Sequence, residues 1–135
     1  MNVNTEVYIA LRDHLDGYTN KPHVIYPPWD DDLPADLFWI VQDARLPVQS
    51  PFIDAGSPKS YSGSFQVHIM APKILTHVQL MYQVDLVAGH FPDDVRLETS
   101  GGLMQFTGGT GLATEPYKDG NYYRAPMVVP WRISA

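Results

Sequence analysis

Proline and glycine interrupt this chain more often than a bundle of helices tolerates. Twelve prolines and ten glycines are spread over 135 residues, and so many turn-forming residues favour short strands joined by turns. A chain of this length builds one core, so a single domain over residues 1–135 is predicted. Hydrophobic residues make up 44% of the chain, which supplies that core and argues against intrinsic disorder.

The hydrophobic pattern predicts two helices and several strands. Apolar residues at helical spacing indicate a short helix over residues 4–15 and a longer one over residues 74–91. Residues 60–70 alternate between apolar and polar side chains, which is typical of a strand with one wet face. Further strands are predicted over residues 23–26, 37–46, 95–99, 103–107 and 122–133. This order favours an α+β fold, a mainly antiparallel β-sheet with two helices packed on one face.

The longer predicted helix is apolar around most of its circumference. It carries two adjacent apolar rows, Ile74, Val78, Met81 and Ala88 in one, and Leu80, Val84, Val87 and Phe91 in the other. One sheet face covers a single row, so the helix is either central to the core or partly buried by another subunit. Leu80, Val84 and Val87 are the candidate interface residues on this helix.

The last predicted strand contains two prolines four residues apart. Backbone N–H groups of alternate residues point to the same lateral side of a strand, so Pro126 and Pro130 remove donors from one side only. That side is a poor ladder partner, which predicts a strand at a sheet edge or beside a bulge. Pro126, Val128 and Pro130 are therefore a second group of candidate interface residues.

The stretch from residue 47 to residue 58 contains three prolines, one glycine and two serines. A loop of this length and composition is expected to bind something or to take part in assembly. Its candidate contact residues are Gln49, Phe52 and Ile53.

Charge and residue usage exclude several classes of function. Nine basic against fifteen acidic residues give a net charge of −6, the wrong sign for a protein that binds by neutralising phosphates. The absence of cysteine excludes disulfides, thiolate zinc sites and cysteine nucleophiles. No apolar run approaches the roughly 20 residues that cross a bilayer, and no signal-peptide pattern is visible, so a soluble protein made in the cytoplasm is expected.

No catalytic, cofactor-binding or metal-binding residue is predicted, and we expect no enzyme activity. The glycines at 108–111 lack the Gly-Lys-Ser/Thr continuation of a phosphate-binding loop. The acidic run 30–32 lacks the ligand spacing of a calcium loop. His77 and His90, the nearest helical pair of histidines, are thirteen residues apart, beyond the spacing of a zinc helix.

Three segments carry a family resemblance. Residues 10–15 hold Ala-Leu-Arg and a following leucine in the first helix, residues 63–72 read GSFQVHIMAP before the second helix, and residues 125–132 read APMVVPWR. With these segments the chain resembles the tail terminator, or tail completion, proteins of long-tailed phages.

The resemblance implies a structural protein of the virion. Members of this family form a ring, usually of six subunits, that caps the head-proximal end of the tail tube, stops its polymerisation and offers a surface for head–tail joining. The implied partners are further copies of the chain, the major tail tube protein and a head-completion or connector protein. Assembly would occur in the host cytoplasm, and DNA would pass through the lumen without specific binding, as the acidic balance also suggests.

Two alternatives remain open from the sequence. A small-ligand-binding α+β domain predicts a closed apolar pocket in a monomer or dimer. Another minor tail or neck structural protein predicts interfaces of a different arrangement, whereas an enzyme would require titratable groups that converge.

Overall fold

The computed structural model describes residues 3–19, 21–29, 32–45, 60–92, 96–99, 102–107 and 109–134. These residues form two α-helices and one curled sheet of eight strands. The helices are α1 (Val3–Asp16) and α2 (His77–His90). The strands are β1 (His23–Ile25), β2 (Phe38–Arg45), β3 (Ser60–Pro72), β4 (Arg96–Thr99), β5 (Gly102–Phe106), β6 (Gly111–Leu112), β7 (Tyr117–Asp119) and β8 (Tyr122–Ser134). The predicted α+β class is confirmed.

The sheet is mixed but mostly antiparallel. Its order is β1-β2-β3-β8-β5-β4, and the short strands β6 and β7 also pair with β8. Only β1 and β2 run parallel; every other pairing among the described strands is antiparallel. The centre consists of β3 and β8, which pair over thirteen residues each.

The side chains of β3 alternate between the two faces of the sheet, as the sequence predicts. Phe65, Val67 and Ile69 are buried in the main core, while Ser64 and Gln66 lie on the opposite face. Both helices cover the first face. Their buried core residues are Val7, Leu11, Leu15, Leu80 and Val87.

Strand β8 lies inside the sheet, so the prediction of an edge position is wrong. One side of β8 pairs with β3 over its whole length. On the other side, the carbonyls of Pro126 and Pro130 accept hydrogen bonds from the backbone N–H groups of Ala113 at 2.8 Å and Thr107 at 3.1 Å. In a strand the backbone nitrogen and carbonyl of one residue point to the same side, so the nitrogens of both prolines point away from β3. The missing N–H groups therefore do not interrupt the β3–β8 ladder.

The proline-bearing side of β8 is nevertheless a poor ladder partner. Three short strands share that side, and neither Pro126 nor Pro130 is paired in their ladders. The paired residues of β8 are 122–124 with β7, 127–128 with β6 and 131–133 with β5. Two of these short strands, β6 and β7, lie outside every strand that the sequence predicts.

Side chains fix the connection from β1 to β2. The indole Nε1 of Trp29 donates to the carbonyl of Val41 at 2.7 Å, and the hydroxyl of Tyr122 donates to the carbonyl of Pro34 at 2.6 Å. These bonds hold an otherwise irregular segment against β2 and β8.

Candidate functional site

Helix α2 is positioned by its N-terminal cap. The side chain of Thr76 accepts from the backbone N–H of Gln79 at 3.2 Å, and the Gln79 side chain accepts from the backbone N–H of Thr76 at 2.8 Å. This reciprocal pair is a capping box. It starts the helix at His77, three residues later than the sequence predicts, and leaves Ile74 in the turn before it.

An exposed apolar row runs along the outer side of α2 and the preceding turn. Ile74, Val78 and Tyr82 are four residues apart, and their exposed fractions are 89%, 77% and 61%. Residues at this spacing lie above one another on one helix face. We call these three residues the α2 row. Exposed apolar groups that adjoin one another mark interaction surfaces, whereas isolated ones are ordinary.

A groove adjoins the α2 row, where the helix faces the start of β2 and the end of β3. Its volume is about 600 Å³. The apolar part of its wall consists of Leu37, Pro72, Ile74, Leu75, Val78 and Tyr82. Polar side chains stand among them, namely Asp36, Gln79 and Gln83. The α2 row is therefore one wall of a concave surface rather than a flat stripe.

Charged side chains are scarce on α2. Asp85 is the one Asp, Glu, Lys or Arg among its fourteen residues. Interface centres are depleted in charged residues, whereas a solvated surface helix ordinarily carries several. Composition and exposure therefore point to the same surface.

The structure places the predicted interface residues of this helix in the chain's own core. Leu80 and Val87 are buried there, and Val84 packs against that core while half-buried. Contact between copies through these three residues stays a prediction. Of the other predicted row, Ile74 and Val78 face outward, whereas Met81 and Ala88 are half-buried against the core.

The other predicted interface residues lie elsewhere. Pro126 is buried, while Val128 and Pro130 are half-buried on the sheet face away from the helices. These three residues contact neither helix, since both helices pack on the opposite face of the sheet. Gln49, Phe52 and Ile53 lie outside the described residues.

A chain of polar contacts crosses that helix-free face. Arg124 Nε donates to Asp119 Oδ2 at 2.8 Å, Arg124 Nη1 lies 2.9 Å from His68 Nδ1, and His68 Nε2 lies 3.0 Å from Gln66 Oε1. His68 is 7% exposed. Burial, and secondarily the Arg124 charge, lowers the pKa of His68 below its ordinary value. Sequence alternation places His68 on this face but gives no signal of its partners.

The polar groups of these residues hydrogen-bond to one another. Arginine can only donate, so His68 Nδ1 accepts and its Nε2–H donates to Gln66. Among the residues that the structure describes, no three His, Cys, Asp or Glu side chains come together as metal ligands. Within the same residues, no helix has the length and apolar character needed to cross a membrane.

Comparison with known proteins shows the fold. Neither a protein-family model nor a curated protein matches this sequence. One solved structure superposes on it with a TM-score of 0.71 at 14% sequence identity, covering 97% of this chain and 92% of the other. A similarity over nearly the whole length of both chains shows that this arrangement of helices and strands also occurs in another protein.

Proposed function

We propose that this protein is a tail terminator, a structural protein that forms a ring at the head-proximal end of a phage tail tube. The ring would stop tube polymerisation and provide the surface for head–tail joining. The sequence resemblance described above suggests this role, and the exposed apolar α2 row is the observation that supports it best.

A closed ring needs two different patches on each subunit, because its contacts run head to tail. The α2 row and its groove supply one concave apolar patch. The second patch must be a protruding apolar surface on another part of the chain. Exposed large apolar side chains away from α2 are Ile9, Trp29, Leu33, Leu103 and Tyr117.

The charge of the chain suits a lumen that DNA traverses. A net charge of −6 on each subunit is repeated around a ring, so phosphate groups are repelled rather than held. Passage without specific binding is what a terminator requires.

Growing tail tubes provide the test. Purified protein is added to polymerising tube protein from the same phage, and tube length and tip occupancy are measured by electron microscopy. The wild-type protein is expected to cap the tips and shorten the tubes. Val78→Asp places a charge in the α2 row and should abolish capping while leaving the fold intact, since Val78 is exposed.

Thr107→Asp is the matched control, because Thr107 is also exposed but lies at the end of β5, away from the α2 row. It should cap tubes like the wild type. Wild-type protein that leaves tube length unchanged and never appears at the tips would refute the role. Capping that survives Val78→Asp would keep the role but move the interface elsewhere.

The groove also suggests a second candidate, a small-ligand-binding domain, although it is open to solvent where that candidate predicts a closed pocket. Its volume lies within the range of small-molecule sites, and much of its wall is apolar. An apolar fluorescent probe tests this candidate. Saturable binding at one site that Val78→Asp abolishes, in a protein that does not act on tubes, would favour ligand binding over termination.

A further inference from the structure

His14 and His90 join the C-terminal ends of the two helices. The Nε2 atom of His14 lies 2.7 Å from the carbonyl oxygen of His90, and the Nε2 atom of His90 lies 2.7 Å from the carbonyl oxygen of His14. The two rings are stacked, with centroids 4.4 Å apart and planes inclined by 19°. A carbonyl only accepts, so each Nε2 carries a proton and donates it.

These two hydrogen bonds answer a specific need of helix ends. The last four carbonyls of an α-helix have no partner within the helix. In α1 each of these four carbonyls accepts a hydrogen bond from a group that follows the helix or lies on another element. The pairs, carbonyl first, are Asp13 with the Gly17 amide, His14 with the His90 ring, Leu15 with the Tyr18 amide and Asp16 with the Lys21 ammonium. The histidines thus cap each other's helix.

Three aromatic side chains pack against the pair. The Tyr18 ring lies 4.8 Å from the His90 ring, and the Phe91 and Phe106 rings lie 5.2 Å and 5.6 Å from the His14 ring. These neighbours limit the water that could solvate a charged imidazole. Both histidines are consequently half-buried.

We propose that His14 and His90 form an acid-sensitive clamp that holds the C-terminal turns of α1 and α2 together near neutral pH and loosens when both rings are protonated. A singly protonated pair keeps both donors, and the helix carbonyls favour one positive charge. A second proton places two cations face to face in a poorly hydrated site, where they repel. The second protonation is therefore the step that opens the clamp.

The surrounding charges do not offset that repulsion. Lys21, whose Nζ donates to the carbonyls of Asp16 and Tyr18, adds a further positive charge beside the pair. The carboxylates of Asp13 and Asp16 are exposed to solvent, and Asp16 accepts from the hydroxyl of Tyr26.

The other elements near the pair carry their charges at a distance from it. On β4, which contacts α1, Leu97 faces the core, and the charged residues Arg96 and Glu98 on either side of it lie on the sheet face away from the core. On α2, Asp85 is exposed.

The electrostatics of His90 agree with this geometry. Burial is the largest influence and lowers the pKa of His90, the hydrogen bond to His14 opposes it, and the charges of His14 and Lys21 lower it further. A histidine with a lowered pKa in the folded state stabilises the fold above about pH 6.5, its unfolded value. That stabilisation is lost as the pH falls from 6.5 towards the lowered pKa.

Urea unfolding at pH 7.5 and pH 5.0 tests the clamp. Glutamine donates from a similar position but does not titrate, so the His14→Gln/His90→Gln variant keeps the donors and removes the charge. Acidification is expected to raise the unfolding equilibrium constant of the wild type by roughly five-fold or more beyond the rise in this variant. His77→Gln, at an exposed position of the same helix, should respond to acid like the wild type.

Equal responses of the double variant and the wild type would overturn the proposal. Histidine ring titration and amide exchange in the wild-type protein provide a second measurement that does not depend on whether the variant folds. The amides of Gly17 and Tyr18, at the end of α1, should exchange faster once both rings are protonated. Two independent titrations of ordinary pKa with unchanged exchange at these amides would also overturn it.

Discussion

The guanidinium of Arg124 donates to the ring nitrogen Nδ1 of His68 across the two central strands, with 2.9 Å between the atoms. Arg124 pairs with Met70 and His68 pairs with Pro126, so the two side chains are diagonal neighbours on the helix-free face. The contact requires neutral His68 with its proton on Nε2, which donates to Gln66. A buried polar group is thus accommodated without a buried charge on the imidazole.

Replacing Arg124 should destabilise the protein. Arg124→Met removes a donor from His68 and a partner from Asp119, and leaves a buried acceptor unsatisfied. We expect the free energy of unfolding to fall by about 1–3 kcal/mol. Urea denaturation measures the change. Arg132→Met, an exposed arginine on the same strand, is the control and should change stability by less than about 0.5 kcal/mol.

The stability of the wild-type protein should decrease as the pH falls below about 6.5, the unfolded pKa of histidine. The folded pKa of His68 is lowered, so the unfolded chain binds a proton first and acid favours unfolding. Arg124→Met removes one cause of the lowered pKa, and its stability should depend less steeply on pH. Unfolding free energies between pH 8 and pH 5 test this; identical slopes in both proteins would contradict it.

The two rows of α2 should respond differently to truncation. Leu80→Ala removes a side chain that is 5% exposed and should cost about 2–5 kcal/mol, through lost transfer energy and a cavity. Val78→Ala removes an exposed side chain, and the isolated protein should lose less than about 0.5 kcal/mol. Thermal or urea unfolding distinguishes them. Comparable losses at both positions would mean that Val78 is covered in the protein as it exists in solution.

The N-cap of α2 should contribute measurably to stability. Thr76→Ala removes the oxygen that accepts from the Gln79 amide and should cost about 1 kcal/mol. Thr114→Ala removes an exposed hydroxyl outside any helix and should have little effect. Helix content by circular dichroism and the urea midpoint report both variants. No difference between them would show that the capping box is not retained in solution.

Local patterns predicted the elements and their class. Alternation over residues 60–70 predicted β3, which extends two residues further to Pro72, and helical spacing predicted α1 and α2. These signals are local because side-chain direction repeats every two residues in a strand and every 3.6 in a helix. Neither period depends on the rest of the chain.

The proline argument for β8 was correct about the side and wrong about the position. Pro126 and Pro130 do face a weakly paired side, but three short strands occupy it. A missing donor shows which ladder is interrupted; it does not show whether another strand offers donors to the proline carbonyls. Ala113 and Thr107 do so, from segments with little strand pattern of their own.

The sequence by itself determined that α2 has two apolar rows, that β3 has one polar face and that His14 and His90 each lie near a helix end. Only the tertiary structure decided that Leu80 and Val87 face the sheet while Ile74, Val78 and Tyr82 face outward, and that the two histidines meet across 76 positions of chain. The reason is physical. Periodicity sets directions within one element, whereas the choice between equally apolar rows, and contacts between distant helix ends, depend on how the sheet pairs and where its surface lies.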